Sequence, residues 1–195
     1  VLKKTSGNYS WFGKSSSSDS RKKIGAILEV PAFYPYLSAQ QNLLIIAKIK
    51  NKGIDRIDDV LRQVNLNDRK DDPFRTFSLG MKQRLGIGIA LVHNPSLIIL
   101  DEPTNGLDPQ GIADIRQLIQ YLAKEEGKTV LVSSHLLSEI EQVAHQILII
   151  HQGKKMVEGV TKELLDPEKR IVQIKTTDDI NALKVITAGS FSDYL

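Results

Sequence analysis

Hydrophobic and polar residues alternate along this chain in two different periods, which indicates an α/β protein built from layers of helices and strands. Short apolar runs are typical of strands, and the run LIIL at residues 97–100 is predicted to be buried on both faces of a parallel sheet. A Gln-Gly pair at 152–153 predicts a hairpin turn. Strands are predicted at residues 24–28, 97–100, 129–133, 147–151, 155–157 and 171–175. Helices are predicted at residues 43–49, 55–64, 78–92, 109–126 and 136–143.

Several of these helices begin with recognisable capping residues. Ser38, followed three residues later by Gln41, matches a capping box. Ser78 precedes the helix that runs to about residue 92, and Asp108 precedes a helix with Pro109 at its first position. The caps therefore fix the starts of three helices.

Composition narrows the classes of protein. The chain has 195 residues, 41% of them hydrophobic and 25% charged, which fits one globular domain or one domain with an appendage. Cysteine is absent, so disulfides and thiolate metal sites are excluded. Residues 1–14 lack the apolar core of a signal peptide, and the apolar runs are too short to span a membrane. A net charge of +3 is too weak to indicate nucleic-acid binding, and the basic run at 21–23 is interpreted as a solvated strand edge.

The tripeptide Gly13-Lys14-Ser15 resembles the end of a phosphate-binding P-loop, but the surrounding residues do not fit one. A P-loop has a glycine five positions before its Gly-Lys-Ser, where this chain has Asn8. The bulky Trp11 and Phe12 stand where the backbone would wrap around phosphate, and the polar residues that follow are expected to lead into a strand without a helix. A strand and turn at the edge of the domain is the predicted structure.

The stretch LIILDEPTNGLDP at residues 97–109 carries the strongest chemical signal. Asp101 and Glu102 follow an apolar strand, which places two carboxylates at the carboxyl edge of a parallel sheet, where such sheets bind ligands. Asp101 is suited to hold Mg²⁺ through water, and Glu102 to polarise a water that attacks a γ-phosphate. Two solvated acids at a capped strand end are the alternative interpretation of a bare Asp-Glu pair.

Two further stretches gain meaning only beside this one. FSLGMKQR at residues 77–84 places Ser78 and Gly80 at a helix start, where an anion meets backbone amides and the positive end of the helix dipole. SSH at residues 133–135 places His135 just after a strand, in reach of the same sheet edge. Alone, a capped helix and a structural histidine would be the commoner interpretations.

Together these stretches resemble the ATP-binding cassette (ABC) ATPases over about residues 4–165. FSLGMKQR is similar to their signature motif, LIILDEP at 97–103 to the Walker B strand, NGLD at 105–108 to the dimer-contact loop and His135 to the switch histidine. ILEVPAFYPYLSAQQNL at 27–43 is similar to exporters of the bacitracin and lantibiotic self-protection type. The resemblance implies an ABC-type P-loop ATPase fold, a mainly parallel central sheet with a helical signature subdomain at about 38–94, and a C-terminal extension at 166–195.

The resemblance also assigns site residues and the cofactors ATP and Mg²⁺. Glu29 stands where the family has a glutamine that links the metal site to the transporter, and the signature has Leu79 and Met81 where many members have Gly and Gln. The residues implied for catalysis are Glu102 and His135; for the metal, Asp101 and Glu29; and for the nucleotide, Ser78, Leu79, Gly80, Met81 and Asp108.

In the family, two such cassettes enclose two ATP molecules and drive a separate membrane permease. The implied partners are thus a second ATPase subunit and permease subunits, without nucleic acid, at the cytoplasmic face of a bacterial membrane. The family's Walker A loop would precede the region that begins here, so the chain is interpreted as N-terminally truncated, inactive on its own, and exposing an apolar face of its sheet. The alternatives are a soluble ABC ATPase acting on nucleic acid or ribosomes, and an inactive fragment that only binds a partner.

Overall fold

The structure, a computed structural model, describes residues 5–15, 18–28 and 32–166, with the backbone alone for residues 18 and 19. The chain divides into two compact units, residues 1–144 and 145–195. The elements of the first unit are β1 (Ser10–Trp11), β2 (Lys14–Ser15), α1 (Ser18–Lys22), β3 (Ile24–Ile27), α2 (Ala39–Lys50), α3 (Ile57–Gln63), α4 (Leu79–Leu91), β4 (Leu97–Asp101), α5 (Pro109–Lys124), β5 (Thr129–Ser133) and α6 (Leu137–Val143). Short 3-10 turns lie at Ile54–Arg56, Asn67–Arg69 and Phe74–Thr76.

The first unit contains a parallel sheet with the strand order β3-β4-β5. Ile27 pairs with Leu100, and Asp101 at the end of β4 pairs with Ser133 at the end of β5. Because parallel strands share their carboxyl edge, the residues that follow β4 and β5 emerge side by side. This register positions the candidate site.

Helices α4 and α5 pack on one face of this sheet. Gly25 faces α4 so closely that a Cβ atom there would lie 2.1 Å from the carbonyl oxygen of Ala90. On the opposite face Ile99 is half-buried and Leu131 is 55% exposed. The prediction that residues 97–100 are buried on both faces is therefore wrong for the described residues, because the helices cover one side only. Leu131 exposes apolar surface on this face, and the wider expectation of an exposed apolar face stays a prediction.

Helices α2, α3 and α4 form a helical region beside the sheet, whose core is continuous with that of α5. The predicted capping box is confirmed at the start of α2: the Gln41 amide donates to Ser38 Oγ at 3.2 Å, and the Ser38 amide donates to Gln41 Oε1 at 2.9 Å. The helix predicted from residue 55 begins instead as the 3-10 turn at Ile54–Arg56 and becomes α-helical at Ile57.

Gly13-Lys14-Ser15 is part of a small antiparallel hairpin formed by β1 and β2. Phe12 and Gly13 form its turn with positive φ angles of 54° and 72°. Lys14 pairs with Trp11 in the hairpin, so the predicted strand and turn are confirmed. The expectation that no helix follows is wrong, because the five-residue helix α1 precedes β3.

The amino edge of the sheet holds a buried histidine. His93 is 4% exposed, and its Nε2 atom lies 3.2 Å from the carbonyl oxygen of Ile24, while Nδ1 has no hydrogen-bond partner among the described residues. Burial lowers the pKa of His93 from its usual value of 6.5, and the positive charges of Lys50, Lys52 and Arg56 lower it further. The neutral imidazole is thus the form that this packing favours.

The second unit contains an antiparallel hairpin of β6 (Gln146–His151) and β7 (Lys154–Val160), followed by α7 (Thr161–Leu164). Gln152 and Gly153 form its turn with φ angles of 48° and 73°, as predicted. The strand predicted at 171–175 lies outside the described residues. The predicted domain limit at residue 165 stays a prediction. Every helix in the described part of the chain is too short or too polar to span a bilayer.

Candidate functional site

The two acids predicted from the sequence stand at the carboxyl edge of the sheet, and a serine from the next strand joins them. Asp101 ends β4 and Glu102 follows it. The Ser133 hydroxyl donates to Asp101 Oδ1 at 2.6 Å and accepts a hydrogen bond from the Glu102 backbone amide at 3.0 Å. One hydroxyl therefore orients both acidic residues: it holds Asp101 through its side chain and Glu102 through its backbone amide.

Glu102 has an unusual backbone conformation. Its φ angle is +47°, in the left-handed region that non-glycine residues rarely adopt. Such a conformation costs about 1–3 kcal/mol and persists only where surrounding contacts enforce it. The hydrogen bond from its amide to Ser133 is one such contact. Strain of this kind is concentrated at functional sites, where it directs a side chain that a relaxed strand end would turn elsewhere.

The Glu102 side chain is paired with His135. Glu102 Oε2 lies 3.0 Å from His135 Nδ1, and the two side chains are 23% and 64% exposed respectively. An ionised carboxylate only accepts hydrogen bonds, so Nδ1 carries the hydrogen when Glu102 is ionised. Nε2 then faces away from this bond, and it can donate to an anion only when the ring is protonated. The pair thus brings a carboxylate and an imidazole together at the carboxyl edge of the sheet.

The residues present fit a hydrated magnesium ion. Asp101 is exposed and has two carboxylate oxygens, one of which accepts from Ser133 while the other remains able to accept from metal-bound water. Among the described residues, no cluster of three His, Asp or Glu side chains could hold a metal alone. Mg²⁺ keeps several waters and commonly takes one or two carboxylates together with phosphate oxygens, so a single acid at this edge is sufficient.

The second predicted group lies at the start of α4. Ser78 is its N-cap, and its Oγ accepts a hydrogen bond from the Met81 amide at 3.3 Å. Leu79 and Gly80 open the helix, and Leu79 is 49% exposed. The first amides of a helix have no partners inside it and attract anions. This end of α4 can therefore bind a phosphate on a facing molecule.

The loop that follows the two acids contacts this helix start. If Gly106 carried a Cβ atom, it would lie 3.3 Å from a methyl carbon of Leu79. A Cβ atom at Gly80 would lie 3.9 Å from a methyl carbon of Leu107. Gly106 has a φ angle of +74°, which suits glycine. The loop 105–108 thus packs against the helix start through apolar contacts, within one chain.

The remaining predicted residues are placed as follows. Asp108 is the N-cap of α5, where its Oδ1 accepts from the Gly111 amide at 3.0 Å, so the predicted cap is confirmed and its role towards nucleotide stays a prediction. Glu29 lies outside the described residues. In the described part of the chain, no hydrogen bond or ion pair joins the group at 78–81 to the group formed by Asp101, Glu102 and His135.

The bridging role of Ser133 was not predicted from the sequence, although the residue begins the stretch SSH. Its role depends on the pairing of Asp101 with Ser133 in neighbouring strands. The signal that the sequence offers for this role is the position of Ser133 at the end of a predicted strand, two residues before His135. Parallel register, however, is fixed by packing between distant segments, so the sequence alone does not reveal which residue stands opposite Asp101.

Comparison with known proteins agrees with this geometry. The ABC transporter family profile matches residues 1–105. The chain is 46% identical over 189 residues to the bacitracin transport ATP-binding protein BcrA of Bacillus licheniformis, covering 94% of this chain and 61% of that protein. It is 44% identical over 158 residues to the lantibiotic transport ATP-binding protein SrtF of Streptococcus pyogenes, covering 81% of this chain and 69% of that protein.

A solved structure shares the fold. CbiO1 from Clostridium perfringens, part of the ABC transporter complex cbiONQ, superposes with a TM-score of 0.77 at 24% identity, covering 100% of this chain and 77% of that one. This likeness concerns the fold, and it confirms the predicted ABC-type α/β architecture. The family profile covers more than half of the sequence and the SrtF match more than two thirds of that relative, so the chain belongs to the ABC transporter family.

Proposed function

We propose that this chain is part of the ATP-hydrolysing subunit of a bacterial ABC exporter, which couples hydrolysis to transport by a separate membrane permease. The observation that carries this proposal is the Glu102–His135 pair beside Asp101 at the carboxyl edge of a parallel sheet. The chain spans 61% of the length of BcrA, whose name refers to bacitracin transport. We therefore propose export of peptide antibiotics, of the resistance or immunity type, for the protein as a whole.

In this proposal Asp101 holds Mg²⁺ through water, with its carboxylate oriented by the Ser133 hydroxyl. The ion, when bound with ATP, neutralises charge on the phosphate oxygens. Glu29, which stands where the family has a glutamine that links the metal site to the transporter, is the second residue that we propose for the metal. Asp101 would thus hold the ion, and Ser133 keeps the Asp101 carboxylate beside the backbone of Glu102.

Glu102 acts as the base that orients and polarises the attacking water. Its strained backbone points the carboxylate towards His135, and this contact holds it at the strand end. His135, when protonated, donates from Nε2 to the γ-phosphate and stabilises the charge that develops there. Because Glu102 is only 23% exposed, its carboxylate is partly shielded from competing solvent.

The helix start at Ser78, Leu79, Gly80 and Met81 binds the nucleotide held by a second subunit. The first amides of the helix and the helix dipole attract the γ-phosphate across the dimer. Asp108 and its loop lie at the same contact, since Leu107 and Gly106 pack against this helix start. The functional unit is thus a dimer of ATPase subunits at the cytoplasmic face of the membrane.

The 195 residues alone are expected to bind Mg-ATP weakly. Gly13-Lys14-Ser15 forms a hairpin, where its amides and lysine cannot cradle phosphates as a P-loop does. Each lost charge-assisted hydrogen bond weakens binding by about 1.5–3 kcal/mol. Isothermal titration of this chain with Mg-ATP measures the affinity, and a micromolar dissociation constant would contradict the expectation.

Substitution of Glu102 tests the proposed activity. In the full-length gene product, Glu102→Gln keeps the size of the side chain and removes its basicity, so ATP turnover should fall by about 10²–10⁴-fold while ATP stays bound in a dimer. Glu141→Gln is the matched control, because Glu141 is an exposed glutamate on α6. Full turnover by the Glu102→Gln protein would remove Glu102 from the role of base.

A further inference from the structure

A side-chain hydrogen bond links the two segments that carry Glu102 and His135. The Thr104 hydroxyl donates to Glu139 Oε2, joining the loop after β4 to helix α6. Thr104 lies two residues after Glu102, and Glu139 lies four residues after His135. The bond therefore spans the same two segments as the Glu102–His135 contact.

The surroundings of this hydrogen bond partly shield it from water. Thr104 and Glu139 are both half-buried and line a small cavity, whose wall includes Val132 and Ile119. His135, by contrast, is 64% exposed at its side chain. A hydrogen bond to a carboxylate is stronger where the local dielectric constant is lower and water competes less.

The segment around His135 has few local contacts that would fix its position. Helix α6 has seven residues, and its N-cap Leu136 provides no side-chain cap. One local bond runs from the Leu136 amide to Ser134 Oγ at 3.1 Å. A helix this short gains most of its stability from packing and tertiary contacts. The position of His135 thus depends on what holds α6, and Glu139 is its hydrogen-bonded connection to the loop that carries Glu102.

We propose that Thr104 and Glu139 are positioning residues for the Glu102–His135 pair. Their hydrogen bond holds the loop after β4 and the start of α6 at the separation that brings Glu102 Oε2 to His135 Nδ1. Neither residue touches the reacting atoms. The catalytic consequence of the proposal rests on the proposed ATPase function. The structural part of the proposal, the control of the histidine contact, is independent of that function.

The structural part is tested by NMR on this chain. The ¹⁵N shifts of a histidine ring report which nitrogen carries hydrogen and how it is bonded, and with four histidines in the sequence the His135 signal is assigned by its loss in His135→Ala. Glu102→Ala gives the signal of the unpaired ring. Thr104→Val, which replaces the hydroxyl by a methyl group, should move the His135 signal towards that position, whereas Thr104→Ser should leave it in place.

Substitutions of Glu139 provide a second test of the same hydrogen bond. Glu139→Leu should move the same signal as Thr104→Val does, and the double variant should move it no further, because both changes remove one bond. Glu139→Gln keeps an acceptor oxygen and should move it less. If one of the two single variants fails to fold, the other decides. A His135 signal that is unchanged in a folded Thr104→Val or Glu139→Leu chain overturns the proposal.

The catalytic consequence is measured on the full-length gene product. Thr104→Val should lower kcat by about tenfold to 10²-fold, as misplacement of catalytic groups does, and leave KM for ATP nearly unchanged. Thr104→Ser should restore kcat. A fall in kcat that Thr104→Ser does not rescue contradicts the positioning role. If the wild-type protein hydrolyses no ATP, the proposed function fails, and the NMR result still decides whether the bond controls His135.

Discussion

Removal of the Ser133 hydroxyl is the perturbation that most directly probes how the site is held. In Ser133→Ala, Asp101 Oδ1 loses a donor at 2.6 Å and the Glu102 amide loses an acceptor at 3.0 Å. Ser133 is exposed, so water can take over both positions. We therefore expect a loss of stability of about 1 kcal/mol, from the lower part of the range for hydrogen bonds, and a fall in Tm of about 2–4 °C.

The effect on activity should exceed the effect on stability. The left-handed backbone of Glu102 costs about 1–3 kcal/mol and is held in part by the bond from its amide to Ser133. Without that bond Glu102 can relax to a negative φ angle, which turns its carboxylate away from His135. If the relaxed form becomes favoured by about 1.4 kcal/mol, the productive form falls to about a tenth, and kcat falls about tenfold.

Steady-state ATP hydrolysis and thermal unfolding of the full-length gene product measure these two effects. Ser133→Thr is the matched control, since it keeps the hydroxyl and threonine is well accepted in a strand. The threonine variant should retain wild-type kcat. An alanine variant with wild-type kcat and Tm would show that the hydroxyl does not hold Glu102, and equal losses in both variants would point to steric disturbance instead.

Two further predictions concern the buried His93 and the two serines that cap α2 and α4. Because burial lowers the pKa of His93, the unfolded chain binds more protons than the folded one below pH 6.5, so the free energy of unfolding should fall as the pH drops from 7 towards 5. His93→Gln should flatten this fall, and His151→Asn, at an exposed histidine, should not; denaturant melts that show the same pH dependence for all three proteins would contradict the assignment. Ser38 and Ser78 cap α2 and α4, so alanine at either should cost about 0.5–2 kcal/mol of stability. Only Ser78→Ala should also lower ATP turnover, and equal activity losses in the two variants would argue against a nucleotide contact at Ser78.

The sequence predicted most of the elements because local signals decide them. The caps at Ser38, Ser78 and Asp108 and the Gln152-Gly153 turn act over three or four residues, and the structure has each where the residues place it. The signature and Walker B stretches are local in the same sense, and they were sufficient to predict the family. These features are local chemistry, which a single sequence contains in full.

Features that depend on distant packing were predicted less well. The half-buried state of Ile99 and the exposure of Leu131 depend on which face of the sheet the helices cover, and a run of apolar residues does not contain that information. The Ser133 bridge joins residues 31 and 32 positions apart through parallel register, and the Thr104–Glu139 bond joins residues 35 positions apart in the segments that follow the two strands. Helix α1 was missed because five polar residues have no hydrophobic period to detect.

The most direct measurement of the central claim is an experimental structure of the full-length Glu102→Gln protein with Mg-ATP. We expect the γ-phosphate at the carboxyl edge of β4 and β5, within hydrogen-bond distance of His135, with the ion beside Asp101 and with Ser78 of a second copy facing the same phosphate. Triphosphate bound at any other edge of the sheet, away from Asp101 and His135, would contradict it.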